Sequence, residues 1–334
     1  MTMRPTADGE RALVTGAGGF IGSHLALALA AQGYNVSALD IELGRLRQLP
    51  TPANLELVDA DVTDPRVQRR AVAGVDTVFH LAAAHLGVSQ SEGAFRRINV
   101  GAVEGLVARS QEAGVRRFVH CSSVGVYGRI RNPPADEETP CHPELVYERT
   151  KLEGESVVLD AMRNGLPAVI LRPVWVYGPG CPRTEKLFRA LRKGRFVLAG
   201  DGLNLRHCIY VRDMVEAFRR AAVADSAIGQ VIVVGDRQAV TVRHLVDEMA
   251  RLAGGRRPRS VPLALLSAAA LAAEWGGRIL GREPPISRRT LRFFTGNTAF
   301  DTSRAGALLG FEPTYDLAAG LAETYEYLYG SGTR

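Results

Sequence analysis

Short runs of valine, isoleucine and leucine alternate with helix-length segments through the first half of the chain. A run that is apolar throughout is typical of a strand buried on both faces, and strands that alternate with helices form a parallel sheet covered on both sides. The pattern therefore predicts an α/β fold with a doubly wound parallel sheet. The predicted strands are residues 12–15, 36–39, 55–58, 77–80, 118–120 and 168–171, and the first predicted helix is residues 21–31.

The pattern changes after Pro173, where prolines and glycines crowd residues 177–182. One further apolar run, residues 231–234, has the pattern of a strand that we expect to rejoin the sheet. The remaining segments have helical patterns, so we predict a smaller, helix-rich C-terminal domain. Its predicted helices are residues 184–193, 241–253 with Thr241 as N-cap, 261–279, and one that is capped by Asp301 and ends at Gly310.

The composition is that of a globular protein, with 334 residues of which 46% are hydrophobic and 23% charged. The net charge of +6 is compatible with nucleic acid, a membrane surface or a small anion as partner. The arginine pairs are scattered and lack interleaved aromatic residues, which argues against nucleic acid. The longest apolar run, residues 261–273, is shorter than the ~20 residues that cross a bilayer, so we expect no membrane span.

The cysteines predict neither a metal site nor a disulfide framework, because they lack the spacing of metal ligands. They stand at Cys121, Cys141, Cys181 and Cys208. The first ten residues are polar and leave no room for a signal peptide before the first strand. We therefore expect a cytoplasmic protein without a bound metal.

A glycine-rich turn at residues 16–22 lies directly between the first strand and the first helix. A diphosphate can approach the backbone closely in such a turn and meets the positive end of the helix. Asp40 ends the second strand, where a carboxylate binds both ribose hydroxyls and repels a 2′-phosphate. We therefore predict NAD; NADP is less favoured but stays open, because Arg45 and Arg47 stand nearby. The predicted cofactor-binding residues here are Gly16, Gly19, Phe20, Ile21, Gly22 and Asp40, with Asp61 and Val62 at the adenine edge.

Tyr147 and Lys151 are one helical turn apart and share a helix face. An ammonium near a phenol favours the phenolate and lowers the pKa of the tyrosine, and a lysine stem can also reach ribose hydroxyls. Lysine is rare here, since 38 of the 41 basic residues are arginine. Ser122 and Ser123 follow the strand at 118–120, where a hydroxyl can hold a reacting oxygen while the tyrosine moves its proton.

Taken in order, these motifs resemble those of the extended short-chain dehydrogenase/reductase family, in its NAD-dependent epimerase/dehydratase group. The resemblance covers essentially the whole chain and implies a Rossmann-type fold. The motifs that carry it are residues 16–22, Asp61-Val62, residues 80–83, Asn99-Val100, Ser122-Ser123, Tyr127-Gly128, Tyr147, Lys151 and Arg172-Pro173.

The resemblance implies a role for each catalytic residue. Tyr147 would be the acid and base, Lys151 would bind ribose and tune the tyrosine, and Ser123 would be the catalytic hydroxyl. The further residues that it implies along the cofactor are Leu81, Ala82, Ala83 and Pro173.

The resemblance also implies a division into domains and an oligomeric state. An NAD-binding domain would comprise residues 1–175, rejoined by about 208–236. Residues 176–207 and 237–334 would form the substrate-binding domain. Members of the family commonly form homodimers through two helices, here at about residues 99–113 and 147–163.

The first substrate hypothesis is an anionic nucleotide sugar that an epimerase or oxidoreductase acts on. A basic stretch from Arg183 to Arg195, followed by Arg206, lies where such relatives bind the diphosphate, and arginine binds phosphates through its planar fork. A solvated basic helix with only Arg206 turned inward explains the stretch equally well. Val124 and Gly125 argue against a dehydratase, which usually has two acids there. The predicted substrate-binding residues are Ser123, Val124, Trp175 and Arg206.

Two other hypotheses stay open. Residues 202–204, Trp175 and the apolar segment 261–273 resemble the 3β-hydroxysteroid dehydrogenase branch, which would imply a hydrophobic alcohol as substrate. Core packing explains that segment as well, and Arg206 gives a lipid little to pair with. A non-catalytic NAD-binding regulatory protein is the third hypothesis, and the complete set of serine, tyrosine and lysine argues against it.

Overall fold

A computed structural model describes residues 9–84, 91–255, 257–280, 291 and 295–330 of the chain, and of residues 274–280 it describes only the helical backbone. Within these residues the strands are short and follow the apolar runs of the sequence. In chain order they are β1 (Arg11–Thr15), β2 (Asn35–Asp40), β3 (Leu55–Asp59), β4 (Thr77–His80), β5 (Arg117–Cys121), β6 (Ala168–Pro173), β7 (Trp175–Tyr177), β8 (Val197–Ala199), β9 (Leu205–Arg206), β10 (Cys208–Tyr210), β11 (Val231–Val234), β12 (Val240–Thr241) and β13 (Arg259–Val261).

The helices connect these strands and cover the sheet. In chain order they are α1 (Phe20–Ala31), α2 (Gly44–Arg47), α3 (Pro65–Ala71), α4 (Glu92–Arg96), α5 (Ala102–Glu112), α6 (Val146–Arg163), α7 (Pro182–Arg192), α8 (Val211–Val223), α9 (Val242–Leu252), α10 (Leu263–Leu280), α11 (Ser303–Leu309) and α12 (Leu317–Tyr329). A π-helical turn, Arg97–Gly101, joins α4 to α5, and 3₁₀ turns lie at Val124–Tyr127 and Asp225–Ala227.

Seven strands form one parallel sheet in the order β11-β6-β5-β4-β1-β2-β3. The middle strands β4 and β6 are buried along their whole length, which explains why their sequences are apolar runs without alternation. The run at residues 231–234 rejoins the sheet as predicted, since Val231 pairs with Ile170 of β6. The predicted doubly wound, Rossmann-type parallel sheet is confirmed.

Two hydrophobic cores lie on the two faces of this sheet. One contains residues of α1, α8 and the C-terminal helices, with Leu25, Phe218 and Leu321 among its fully buried members. The other lies under α3, α5 and α6 and includes Leu106 and Val158. Because helices cover both faces of the sheet, we expect ligands at the edge formed by the strand ends.

The segment after β6 forms small sheets that the sequence pattern did not predict. β7 pairs with β10 in parallel, β9 with β12 antiparallel, and β8 with β13 in parallel. Their strands have two or three residues, too few for a period to be recognised. The division of the chain into two domains stays a prediction.

Two predicted helix starts are wrong by one or two residues. Val261 ends β13, where it pairs with Ala199, so the helix expected from residue 261 begins at Leu263. The helix expected to be capped by Asp301 has Thr302 as its N-cap, although the Asp301 carboxylate accepts a 2.8 Å hydrogen bond from the Ser303 N–H. At residue 261 the backbone pairs with a neighbouring strand and so cannot begin a helix. At residue 301 the side chain caps the helix from one position further out than the pattern predicts.

One face of α10 packs against the protein, and the opposite face is exposed. Leu266 and Ala270 are buried with Leu291 and Ala199, whereas Leu265 is 63% exposed. The core-packing explanation of this segment therefore holds for one face of the helix. None of the helices among the described residues is both long and apolar enough to cross a membrane.

Asp213 on α8 holds the segment before α12 in place. Its buried carboxylate accepts hydrogen bonds from the Thr314 N–H and hydroxyl at 3.0 and 2.8 Å and from the Tyr315 N–H at 3.0 Å. Asp213→Ala leaves these donors without an acceptor, so we expect the free energy of unfolding to fall by about 3 kcal/mol. Urea unfolding measures this loss. Asp160→Ala, which removes an exposed carboxylate of α6, should change stability by less than about 0.5 kcal/mol, and equal losses for the two variants would contradict the account.

Candidate active site

The strand order opens a crevice at one point of the sheet. β1 lies in the middle, with β2 and β3 on one side and β4 to β6 on the other. The chain therefore leaves the ends of β1 and β4 in opposite directions, and ligands of doubly wound sheets bind in the crevice that results. Because all seven strands are parallel, every predicted site residue at the end of a strand lies along this same edge.

The glycine-rich turn forms a cradle at the end of β1. Gly16 has a φ of +72°, and a Cβ added to it would lie 2.6 Å from the backbone nitrogen of Ala82. A Cβ on Gly18 would collide with the Glu42 carbonyl and one on Gly22 with the Gly16 carbonyl. α1 begins directly after this turn at Phe20, with Gly19 as an N-cap that offers no side chain to the first helical N–H groups. The turn thus leaves a helix N-terminus open to an anionic group, which fits a dinucleotide diphosphate.

Asp40 lies at the end of β2 beside this cradle. Its carboxylate accepts a 2.9 Å hydrogen bond from the Gly18 N–H and a 3.3 Å hydrogen bond from the Glu42 N–H. The carboxylate is therefore fixed at the edge of the crevice, where it suits ribose hydroxyls and opposes a 2′-phosphate.

The two arginines that left NADP open both have partners elsewhere. Arg45 donates a 2.7 Å hydrogen bond to the Gly180 carbonyl, and Arg47 forms an ion pair with Asp59. Both guanidinium groups therefore bind protein groups, and neither is held in place to bind the 2′-phosphate of NADP. The donor set at the end of β2 therefore fits NAD better than NADP.

The other predicted cofactor residues line the ends of β3, β4 and β6. Asp61 is exposed and accepts a 2.8 Å hydrogen bond from the Thr63 N–H, while Val62 is buried. Leu81 and Ala82 continue β4 beside β1, since the Leu81 N–H donates to the Thr15 carbonyl at 3.1 Å and the Ala82 N–H donates to the Thr15 hydroxyl at 3.3 Å. The side chains of Leu81, Ala82 and Ala83 are half-buried, and Pro173 is buried at the end of β6.

Asn99 joins the end of β4 to α6. Its side chain accepts a 2.8 Å hydrogen bond from the Ala84 N–H and donates one of 2.9 Å to the Thr150 hydroxyl. The π-helical turn that contains Asn99 packs so closely on α6 that a Cβ on Gly154 would collide with the Asn99 carbonyl. The motif Asn99-Val100 thus positions α6, the helix that carries the predicted tyrosine and lysine.

Lys151 is a buried residue of α6 whose ammonium reaches the end of β5. Its ammonium donates a 2.7 Å hydrogen bond to the Cys121 carbonyl. Burial lowers the pKa of Lys151, and the neighbouring Cys121 and Glu155 act in the opposite direction. The ammonium is thereby held beside Ser122 and Ser123, which follow the same strand.

Tyr147 lies one turn earlier on α6 and is partly buried. Burial, with a contribution from Cys121, raises the pKa of Tyr147 to about 12, although the charge of Arg183 and a hydrogen bond with Ser123 act to lower it. The lowered pKa that the sequence predicts for this tyrosine is therefore wrong, because burial outweighs the nearby positive charge. Ser123 is the N-cap of the 3₁₀ turn that begins at Val124, and its hydroxyl accepts a 3.0 Å hydrogen bond from the Gly125 N–H. The structure therefore brings together the three residues predicted to be catalytic.

Arg206 is the one member of the predicted diphosphate set that is buried among the described residues. Burial, together with the charge of Arg183, lowers the pKa of Arg206 to about 10. Arg183 is exposed, and its charge also acts on the pKa of Tyr147. Trp175 lies on β7, which pairs with β10, and its backbone N–H donates to the His207 carbonyl at 3.2 Å.

The rest of the basic stretch is exposed to solvent. Arg189 forms an ion pair with Glu185 of the same helix, and the guanidinium of Arg192 lies 4.0 Å from the ring centre of Tyr329. The explanation of a solvated basic helix with only Arg206 turned inward therefore holds. The solvent-facing cations are Arg183, Lys186, Arg189, Arg192, Lys193 and Arg195.

Three buried polar residues near the site were missed as functional candidates. His80 and His120 stack at 5.4 Å on neighbouring strands, and burial lowers the pKa of His80 to about 3 and that of His120 well below its usual value. Both rings are therefore uncharged at physiological pH. Glu155 is the third residue. The sequence could have indicated the two histidines as polar residues within apolar strands, and Glu155 as a polar residue on the buried face of a helix.

No group of three His, Cys, Asp or Glu side chains among the described residues is arranged to hold a metal ion. The site instead combines an open helix N-terminus, a fixed carboxylate, a buried ammonium and a phenol. These groups suit a dinucleotide and a proton transfer.

A profile of the NAD dependent epimerase/dehydratase family matches residues 12–235. The chain belongs to this family. It is 33% identical to a UDP-glucose 4-epimerase of Mycolicibacterium smegmatis over 95% of this chain and 98% of that protein. It is 31% identical to a 3 beta-hydroxysteroid dehydrogenase/Delta 5-->4-isomerase of Mycobacterium tuberculosis over 76% of this chain and 72% of that protein.

Solved structures are similar across almost the whole fold. The UDP-glucuronic acid 4-epimerase from Bacillus cereus in complex with NAD superposes with a TM-score of 0.77 at 25% identity, covering 95% of this chain and 98% of that one. Family membership confirms the predictions of an enzyme and of NAD as its cofactor. The roles of individual site residues stay predictions.

The cradle at Gly16 gives a direct test of cofactor binding. Gly16→Ala would place a Cβ against the backbone of Ala82 and strain a positive φ, so we expect the Kd for NAD to rise at least about 100-fold. Isothermal titration calorimetry measures the affinity. Gly93→Ala is the control, because a Cβ there would meet only the Ser91 hydroxyl at 3.9 Å. An unchanged Kd in Gly16→Ala would show that the dinucleotide binds elsewhere.

Proposed function

We propose that this NAD-dependent enzyme is a nucleotide-sugar epimerase or oxidoreductase that acts at a carbinol carbon of the sugar. The observation that carries the proposal is the buried guanidinium of Arg206, beside exposed Arg183, whose charge acts on both Arg206 and Tyr147. A guanidinium matches the oxygen geometry of a diphosphate, and burial strengthens the attraction because water is excluded. The similarity to the UDP-glucose 4-epimerase and to the UDP-glucuronic acid 4-epimerase supports the same substrate class.

NAD would bind along Gly16, Gly19 and Asp40 and, when bound, supplies an acceptor and donor for hydride. Ser123 would hold the reacting oxygen of the substrate by a hydrogen bond. Tyr147 would take the proton from that oxygen and return it when the carbonyl is reduced again. Lys151 would bind ribose hydroxyls of the cofactor, and its charge would oppose the rise in the pKa of Tyr147 that burial causes.

An epimerase and a dehydrogenase share the first hydride transfer and differ only in the second step. An epimerase would return hydride to the opposite face of the same carbon and keep its cofactor. A dehydrogenase would release the oxidised substrate and the reduced dinucleotide. Both outcomes need the same arrangement of Ser123, Tyr147 and Lys151.

A hydrophobic alcohol is the second candidate substrate. The half-exposed leucines of α10 and the similarity to the 3 beta-hydroxysteroid dehydrogenase of Mycobacterium tuberculosis favour it. Arg206 favours the nucleotide sugar, because a sterol has no anion for its guanidinium to bind. We therefore propose a nucleotide sugar as the substrate.

We also propose a homodimer built through the surface of α5 and α6. The two helices pack side by side on one face of the sheet, so a second copy could form a four-helix contact there. Light scattering coupled to size-exclusion chromatography tests the proposal, and a monomeric mass at micromolar concentration would contradict it.

Tyr147→Phe tests the role of the tyrosine. The variant keeps the ring and loses the proton-carrying group, so we expect kcat to fall at least about 1000-fold while the Kd for NAD changes less than about threefold. Turnover of nucleotide sugars by NMR and calorimetry of NAD binding measure the two quantities. Tyr327→Phe, which changes a half-exposed tyrosine of α12, should behave as wild type. Near-wild-type turnover in Tyr147→Phe would refute the assignment.

Arg206→Met tests the substrate class. We expect nucleoside-diphosphate sugars to raise the melting temperature of the NAD-loaded wild type and to lose most of this effect in Arg206→Met, because the diphosphate loses the guanidinium that binds it. Arg195→Met removes an exposed arginine of the same stretch and should retain the effect. Protection of the wild type by sterol alcohols and by no nucleotide sugar would favour the second candidate instead.

A further inference from the structure

A buried ion pair lies directly behind the predicted catalytic residues. The Nε and Nη2 atoms of Arg172 donate hydrogen bonds to the two carboxylate oxygens of Glu155, at 3.0 Å to Oε1 and 2.6 Å to Oε2. The Glu155 side chain is fully buried and that of Arg172 is 7% exposed. The contact has the fork-on-fork geometry that fixes both side chains in one orientation.

Each remaining polar atom of the pair binds a different segment of the site. The Ser122 hydroxyl donates a hydrogen bond to Glu155, and Arg172 Nη1 donates one of 2.9 Å to the Tyr127 hydroxyl. The guanidinium also lies 4.9 Å from the centre of the Tyr127 ring. The pair therefore joins α6, the end of β5, the end of β6 and the 3₁₀ turn that follows Ser123.

These segments carry the residues that the reaction uses. Glu155 stands one turn after Lys151 and two turns after Tyr147 on the same face of α6. Ser122 immediately precedes Ser123, and Arg172 immediately precedes Pro173. A shift of either partner would displace the phenol, the ammonium or the hydroxyl from the others.

We propose that the Glu155–Arg172 ion pair is the positioning device of the site, which fixes the catalytic lysine and tyrosine of α6 against the ends of β5 and β6. Both residues act through others and touch neither substrate nor cofactor. The catalytic part of this inference rests on the proposed function, whereas its electrostatic part does not.

Glu155 also has an electrostatic effect that distinguishes positioning from general stability. Its charge raises the pKa of Lys151, which burial lowers. Burial raises the pKa of Cys121 to about 11 and that of Tyr147 to about 12, and it keeps the histidines neutral. The carboxylate paired with Arg172 is therefore the negative charge among the described groups that face the ammonium. Those groups are His80 on β4, His120 and Cys121 on β5, and Glu155 on α6, with Arg172 on β6 behind Glu155.

The direction of the effect is set by this arrangement. Glu155→Gln removes the negative charge and leaves the Arg172 guanidinium unbalanced, so both changes lower the pKa of Lys151. We expect a decrease on the order of one unit. We also expect kcat to fall about 100-fold and the pH profile of kcat to move to lower pH.

The pKa can be measured without any substrate, because the chain has only three lysines. Lysine labelled with an NMR-active carbon at Cε gives three signals, and Lys186→Arg and Lys193→Arg assign the two exposed residues. The experiment titrates Lys151 in the wild type, in Glu155→Gln and in Asp225→Asn. Asp225→Asn is the matched control, because it neutralises the partner of buried Arg117, which pairs at 3.0 Å near the opposite ends of the strands.

The outcomes separate the hypotheses. A lowered pKa of Lys151 and a shifted pH profile in Glu155→Gln, with neither change in Asp225→Asn, support the proposal. An unchanged pKa overturns it, as does an equal shift in the control. If the wild type turns over no nucleotide sugar, the proposed function fails, while the titration of Lys151 still decides the inference about Glu155.

Two milder variants keep the test valid if Glu155→Gln does not fold. Glu155→Asp retains the charge and shortens the side chain, so the pKa of Lys151 should stay near the wild-type value while kcat falls. Ser122→Ala retains the ion pair and removes one of the hydrogen bonds between α6 and the end of β5, so kcat should fall about tenfold with the KM for NAD unchanged. Wild-type kcat in both variants would overturn the positioning role.

Discussion

The parallel alignment of seven strands is the constraint on which the candidate site depends. The parallel alignment places every carboxyl end at the same edge, and the order β4-β1-β2 opens a crevice there. Gly16 follows β1, Asp40 ends β2, Ser123 follows β5 and Pro173 ends β6. Residues far apart in sequence therefore meet at this edge, and helices cover both faces of the sheet.

Burial determines the electrostatics of what gathers at that edge. Lys151 and Arg206 are buried cations whose pKa values fall, and burial keeps His80 and His120 uncharged. Glu155 balances part of this charge from behind the site, through its pair with Arg172. The net charge of +6 and these buried cations suit an anionic dinucleotide.

The sequence predicted the sheet, the cofactor turn and the tyrosine–lysine pair because each has a local period or spacing that survives folding. Thr241 caps α9 as its side chain predicted. The π-helical turn at Asn99 and the short sheets after β6 have no such period, since they depend on contacts between distant segments. Glu155 was missed for the same reason, because an acid on a helix is ordinarily a surface residue and only the fold buries this one.

The most direct test is to mix the NAD-loaded protein with single nucleotide sugars and follow the near-ultraviolet absorbance of the reduced nicotinamide in one turnover. We predict reduction with at least one nucleoside-diphosphate sugar and none with the same free sugar, because the diphosphate would bind at Arg206 and bring the carbinol to Tyr147. Absence of reduction with every nucleotide sugar, together with reduction by a sterol alcohol, would contradict it.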